Sequence, residues 1–210
     1  MEPIVLIGGG GHCKACIDVI EREGKYKIEG ILDENLKPGD KVLGYKIIGK
    51  DDIISEVAAK YHNFFITVGQ ITNMDIRMKL YTKVKKSGGI FSAVISPFAY
   101  ISEHSEIGEG TIIMHHAVVN TNVTIGEQCI INTKALIEHD SVVGNFSHIS
   151  TGSILNGGVY VGKNVFIGSN TVVNNNVKIT DGVIVPSGYV IRKDINRKGL
   201  FHSSIKKRQG

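Results

Sequence analysis

From Ile95 onward the chain repeats with a period of six. Every sixth residue from Ile95 to Ile191 is isoleucine, valine or leucine, seventeen positions without interruption. Repetition of this kind decides an architecture before local propensity does. A helix cannot carry it: six residues turn an α-helix by about 600°, scattering the aliphatics over three faces. In an extended chain six is even, so every aliphatic points to one side. Two places before them a small or slim residue recurs, as at Ala99, Ser105, Thr111, Ala117, Cys129, Ala135 and Ser141; Tyr189 is the bulky exception. Such sites suit tight bends. Short strands that turn every six residues, each burying one aliphatic, build a parallel β-solenoid. Gly108, Gly126, Gly144 and Gly162 add a beat of eighteen. Three hexads therefore make one coil, and the coil is a triangle. At about 4.8 Å per coil, roughly five to six coils give a prism some 25–28 Å long.

Upstream the pattern changes. Residues 3–8 (PIVLIG) read as a buried strand, 8–12 (GGGGH) as a tight loop and 12–23 as a helix. Strands are predicted at 27–32, 45–48 and 64–68, and helices at 51–60, capped by its leading acids, and at 73–86, with Asn73 as N-cap. Alternating strand and helix makes a small α/β sheet of Rossmann-like type. The expected organisation is an α/β domain over residues 1–90, a solenoid over 91–193 and a basic tail over 194–210.

Charge sharpens this division. Seven of the 24 basic residues and one of the 20 acids fall in 192–210, so residues 1–191 hold 17 against 19, a net of about −2. A mildly acidic body with no reading module argues against nucleic-acid binding. No apolar run approaches the ~18 residues of a membrane span. The start, MEPIVLIGG, lacks a basic flank and a cleavage site, so export is not expected. Three cysteines make no disulfide framework, and a reducing cytoplasm is the simplest setting. Cys13 and Cys16 have CxxC spacing, but no second pair completes a zinc site.

Several residues could carry chemistry. The glycine loop, with Gly10, Gly11 and His12, offers backbone N–H groups at a helix N-terminus, which suits a phosphate; the plainer reading is a tight turn. Asp33, after the second strand, is where such folds place an acid near a nucleotide's ribose or base. His139 and Gly157 are eighteen apart, one whole coil, so the glycine should lie directly above the histidine. His139 and His148 are half a coil apart and cannot stack on one face. A pocket using both would be shared between neighbouring subunits.

The six-residue ladder resembles the hexapeptide-repeat, left-handed β-helix family, and the left hand comes from that resemblance alone. The pairing of a G-x-x-G-H opening, the acids Asp33 and Glu34, and the segments Asn132-Thr133, Ile137-Glu138-His139-Asp140 and Gly144-Asn145-Phe146-Ser147-His148 is more specific. It is similar to bacterial acetyltransferases acting on nucleotide-linked 4-amino-4,6-dideoxy sugars, and to related sialic acid O-acetyltransferases.

The resemblance implies a homotrimer using acetyl-CoA and no metal. It makes His139 the general base, oriented by Asp140. It puts His148, Gly157, Ser187 and Gly188 near the acetyl donor. It puts Asn132 on the substrate side and the sugar nucleotide on Gly10, Gly11 and His12, with its base near Asp33. Relatives often have glycines where this chain has Pro186-Ser187-Gly188. His115 and His116 lack the third histidine and the HxxxxH pair of the metal-dependent carbonic anhydrases of the family, and His62, His104 and His202 look like partnerless surface residues. O-acetylation, or nucleotide-sugar binding without catalysis, are the alternatives. The tail could lie near the phosphates of CoA or be solvated.

Overall fold

The computed structural model describes residues 1–71 and 75–201. The proposed N-cap Asn73 and the tail from His202 onward lie outside the described residues. The first part is a sheet of β1 (Glu2–Ile7), β2 (Tyr26–Leu32), β3 (Lys41–Val42), β4 (Tyr45–Gly49), β5 (Asn63–Ile66) and β6 (Ile90–Phe91), ordered β3-β4-β2-β1-β5-β6. Helices α1 (Gly11–Glu23), α2 (Ile54–Lys60) and α3 (Asp75–Lys86) cover it. β1 is central and pairs in parallel with β2 and β5. Its side chains alternate as a doubly covered strand requires. Ile4 and Leu6 join Ile17 and Ile20 of α1, whereas Val5 and Ile7 join Val57, Leu80 and Val84 of α2 and α3.

Two details differ from the sequence reading. Asp51–Ile53 form a 3-10 turn ahead of α2, and the N-cap positions are Lys50 and Ile53, neither making a side-chain cap bond; Asp51 lines a cleft. A short hairpin joins β3 to β4 through Leu43 (φ 48°) and Gly44 (φ 92°). Two successive positive φ angles mark the tight turn that matches strand twist.

The second part is the predicted prism. Two-residue strands pair in parallel with those eighteen residues away, as Ile112 with Ile130 and Val118 with Leu136. Its first face runs through Val94–Ile95, Ile112–Ile113, Ile130–Ile131, His148–Ile149, Phe166–Ile167 and Val183–Val185. The second includes Val118–Val119, Leu136–Ile137 and Ile154–Leu155, and the third Thr124–Ile125, Val142–Val143 and Tyr160–Val161. The ladder aliphatics from Ile113 to Ile191 form one core. Corner residues recur at φ 56–61°, among them Asn122, Asp140, Asn164, Asn170 and Asn176. Asn and Asp tolerate this left-handed conformation better than other L-residues.

The α/β part docks on the first face. Outward-pointing Val94, Ile112 and Ile130 pack into the same cluster as α1. His115 ties the two parts: its Nε2 lies 2.8 Å from Asp18 Oδ2 and its Nδ1 2.6 Å from Ser96 Oγ. The order Asp–His–Ser is that of a hydrolase triad, but Ser96 is 1% exposed and its Oγ also accepts the Phe98 N–H. It is a clasp. At the far end Gly199–Leu200 adds a last strand to the first face, and Phe201 meets Tyr189 edge-on at 5.6 Å. The bulky Tyr189 packs against the prism core and meets Phe201 of this plug.

Candidate active site

One corner, between the second and third faces, carries His139. Its Nδ1 is 2.8 Å from Asp140 Oδ2, so Nδ1–H donates and Nε2 keeps its lone pair. The short Asp reaches the ring because its own backbone turns left-handed at φ 60°. Asn122 Nδ2 donates to the other Asp140 oxygen at 2.7 Å and, like the His139 bond, holds that carboxyl below its ordinary range. The Asp140 hydrogen bond raises the His139 pKa. Glu138 beside it accepts from Asn120 Nδ2 at 2.8 Å. The imidazole is more than half exposed.

Gly157 lies directly over His139, as one coil demands. A Cβ there would stand 2.7 Å from both Cε1 and Nε2 of the ring. The glycine is thus the space into which the imidazole folds. Gly157 is itself buried, and its N–H has no acceptor among the described residues. The ring thus fills the place a side chain would take at Gly157, the residue that the resemblance puts near the acetyl donor.

A second group of residues lies at the carboxyl ends of β1, β2 and β5. They line a cleft of about 400 Å³ that includes Gly8, Gly10, Gly11, His12, Asp33 and Gly69. Nothing stands within 4 Å of where a Cβ would be on Gly10 or Gly11. The N–H groups of Gly10, Gly11 and His12 have no acceptor among the described residues, so the start of α1 is open to an anion. His12 Nε2 is buried without a partner among the described residues. Burial, and then the Arg77 and His148 charges, push the His12 pKa down to about 3. Asp33 organises the loop: Oδ2 accepts from Gly9 N at 2.7 Å, and Oδ1 from Asn35 N and Leu36 N at 2.8 and 2.9 Å. Burial alone would raise its pKa, but these three bonds win and lower it. Glu34 and Asp51 line the same end of the cleft.

The third group sits on the first face. Asn132, His148 and Ser187 line one shallow pocket with Phe166. His148 Nδ1 donates to Gln70 O at 2.6 Å, which leaves Nε2 to accept from Asn132 Nδ2 at 3.2 Å. Asn132 Oδ1 in turn accepts Thr133 N. Burial lowers the His148 pKa to about 4. Gly188 has φ 78° and spends its N–H on Ser169 O. A triangular prism sets each corner opposite one face, so His139 and His148 lie on opposite sides of the chain.

Other assignments change. His104 has a partner after all, Glu103 at 3.7 Å, with both groups exposed. His115 is the clasp described above. Cys13 and Cys16 are buried in α1, and burial pushes the Cys13 thiol up to about 11. Among the described residues no group of three or more His, Cys, Asp or Glu is placed to hold a metal ion. None of their helices is long and apolar enough to cross a membrane. Reasoning from sequence missed Arg77 and Gln70, which join the cleft to the prism. The outward apolar residues Val94, Ile112 and Ile130, eighteen apart, were the available signal for where the first domain docks.

Residues 3–84 match the PglD N-terminal domain, and residues 91–205, more than half the chain, match the GMPPB C-terminal domain. PerB from Caulobacter crescentus, solved in complex with CoA and GDP-perosamine, is 30% identical over 95% of this chain and 93% of its own, with a TM-score of 0.88. The acetyltransferase domain of PglB from Neisseria gonorrhoeae is 27% identical over 95% and 96%, also with a TM-score of 0.88. The UDP-N-acetylbacillosamine N-acetyltransferase of Bacillus subtilis is 28% identical over 116 residues, 54% of this chain and 52% of that protein. The chain therefore spans about half the length of that curated relative. Its two-part fold, an α/β domain followed by a left-handed parallel β-helix, is shared nearly end to end with the solved structures. The chain belongs to the hexapeptide-repeat sugar N-acetyltransferases.

Proposed function

We propose that this protein transfers the acetyl group of acetyl-CoA to the amine of a nucleotide-linked 4-amino-4,6-dideoxy sugar. The observation that carries the reading is the Asp140–His139–Gly157 arrangement: an oriented, exposed imidazole with Nε2 free, folded over a residue without a side chain. The amine nitrogen attacks the thioester carbonyl, the N–C bond forms, the C–S bond breaks, and CoA leaves as thiolate. His139 Nε2 takes the amine proton and returns it to sulfur. Asp140 holds the ring's tautomer and favours its protonated form. Backbone N–H groups near Gly157 are the proposed donors to the tetrahedral oxyanion.

The cleft at Gly10, Gly11 and His12 takes the nucleotide's diphosphate, with Asp33 at the base end. His148, Ser187 and Gly188 belong to the acetyl-donor side and Asn132 to the sugar side. Because His139 and His148 face opposite ways, one complete site needs two chains, which supports a homotrimer with three shared sites. Use of acetyl-CoA and a nucleotide sugar, both soluble metabolites, supports a cytoplasmic setting. The test is turnover of amino and hydroxyl nucleotide sugars with radiolabelled acetyl-CoA. Amine acetylation that falls about 10²–10⁴-fold in His139→Ala supports the assignment. Near-normal turnover of that variant, or transfer to hydroxyl sugars only, overturns it.

A further inference from the structure

The segment Ile66–Ile71 separates the nucleotide cleft from the pocket on the prism. Thr67, Val68 and Gly69 line the cleft, and Ile71 lines the prism pocket. A loop in that place would be free to drift, yet three anchors hold it. Thr67 Oγ1 donates to Ile7 O and Gly8 O at 3.0 and 2.5 Å, fixing the near end to β1. Arg77, 1% exposed, reaches under the loop from α3: Nη1 donates to Ile66 O and Val68 O at 3.1 and 2.6 Å, and Nη2 to Gln128 O at 3.0 Å. Gln70, 4% exposed, donates through Nε2 to Phe146 O at 2.6 Å, while its own carbonyl accepts from His148.

Gln128 and Phe146 are successive corner residues, one coil apart, both at φ 57°. In that conformation neither carbonyl accepts a hydrogen bond from the prism's own backbone. Two outward-facing carbonyls on consecutive rungs therefore make a rail, and Arg77 and Gln70 grip it. The arrangement fixes the height and tilt of the loop relative to the prism face that carries Asn132 and His148. Arg77 suits this use because a planar fork spans several carbonyls at once, which an ammonium cannot.

We infer that Arg77 and Gln70 are positioning residues for acetyl transfer: by clamping Ile66–Ile71 to the corner rail they set where the sugar end of the nucleotide cleft meets the prism. This rests on the proposed function. The test uses the full-length chain with Gln70→Ala, which removes one bond, and Arg77→Lys, which keeps the charge but not the fork. Both kcat and the two KM values are read beside the melting temperature. A misplacement of about 1 Å is enough to predict losses of tenfold or more in kcat. KM for acetyl-CoA stays within twofold, and Arg77→Lys also raises KM for the nucleotide sugar. A purely structural role would lower the melting temperature and leave kcat per folded molecule unchanged. Folded variants with kcat and both KM values at wild-type level overturn this inference alone. A wild-type chain that acetylates no nucleotide amino sugar overturns the functional reading and this inference with it.

Discussion

The substitution Gly157→Ala isolates the geometry on which catalysis depends. The new Cβ would lie 2.7 Å from Cε1 and Nε2 of His139, against an ordinary contact of 3.4–4 Å. The ring is the far end of a side chain, so it yields, by about 1 Å, and the backbone does not. A shift of that size at a catalytic group costs about 10²-fold in rate, or about 2.7 kcal/mol of transition-state stabilisation. The fold should not suffer. Gly157 is not among the glycines with positive φ, and alanine restricts the unfolded chain, worth about 0.4–1 kcal/mol in favour of folding.

Its neighbour supplies the control. Gly158 has φ 70°, and its Cβ would meet Asn176 Oδ1 at 2.4 Å, away from the imidazole. Gly158→Ala should cost about 1–2 kcal/mol of stability and spare activity per folded molecule. Initial rates under saturating substrates, with thermal melts of both variants, separate the two effects. Gly157→Ala with kcat within twofold of wild type would refute the account of this corner.

Two further outcomes follow from the charges. Asp140→Asn removes the partner that raises the His139 pKa, so the rising limb of kcat against pH should move down towards about 6.5, with a lower plateau; an upward move contradicts the base assignment. Asp33→Asn should raise KM for the nucleotide sugar and cost about 1 kcal/mol at neutral pH after solvent screening, as three backbone donors lose a charged acceptor. Because the Asp33 pKa is lowered on folding, its contribution is present above the ordinary value of about 3.8 and is lost as pH falls through the depressed one. Melting curves between pH 3 and 7 should therefore converge for wild type and variant at the acid end, and curves that diverge there exclude the linkage.

The prism was legible because a period of six leaves one solution, and the same arithmetic stacks Gly157 over His139. Residues that act across the domain boundary carried no such period. His115 meets Asp18 across 97 positions, Arg77 meets Gln128 across 51, and His148 meets Gln70 across 78. Nothing local marks these pairs, since each depends on how two separately patterned units dock. Asp33 shows the other limit: its place after β2 was readable, but not that both oxygens hold its own loop.

The plug at the end of the prism has a consequence for handling the protein. A parallel coil ends in unpaired N–H and C=O groups that match the start of any identical coil. Gly199–Leu200 pairs with that terminus on the first face, Ile195 bridges Ile179 on the third, and Phe201 packs on Tyr189. Trimming the chain back to Lys193, an apparently harmless cut just past the last aliphatic, would leave a sticky template and invite growth into filaments.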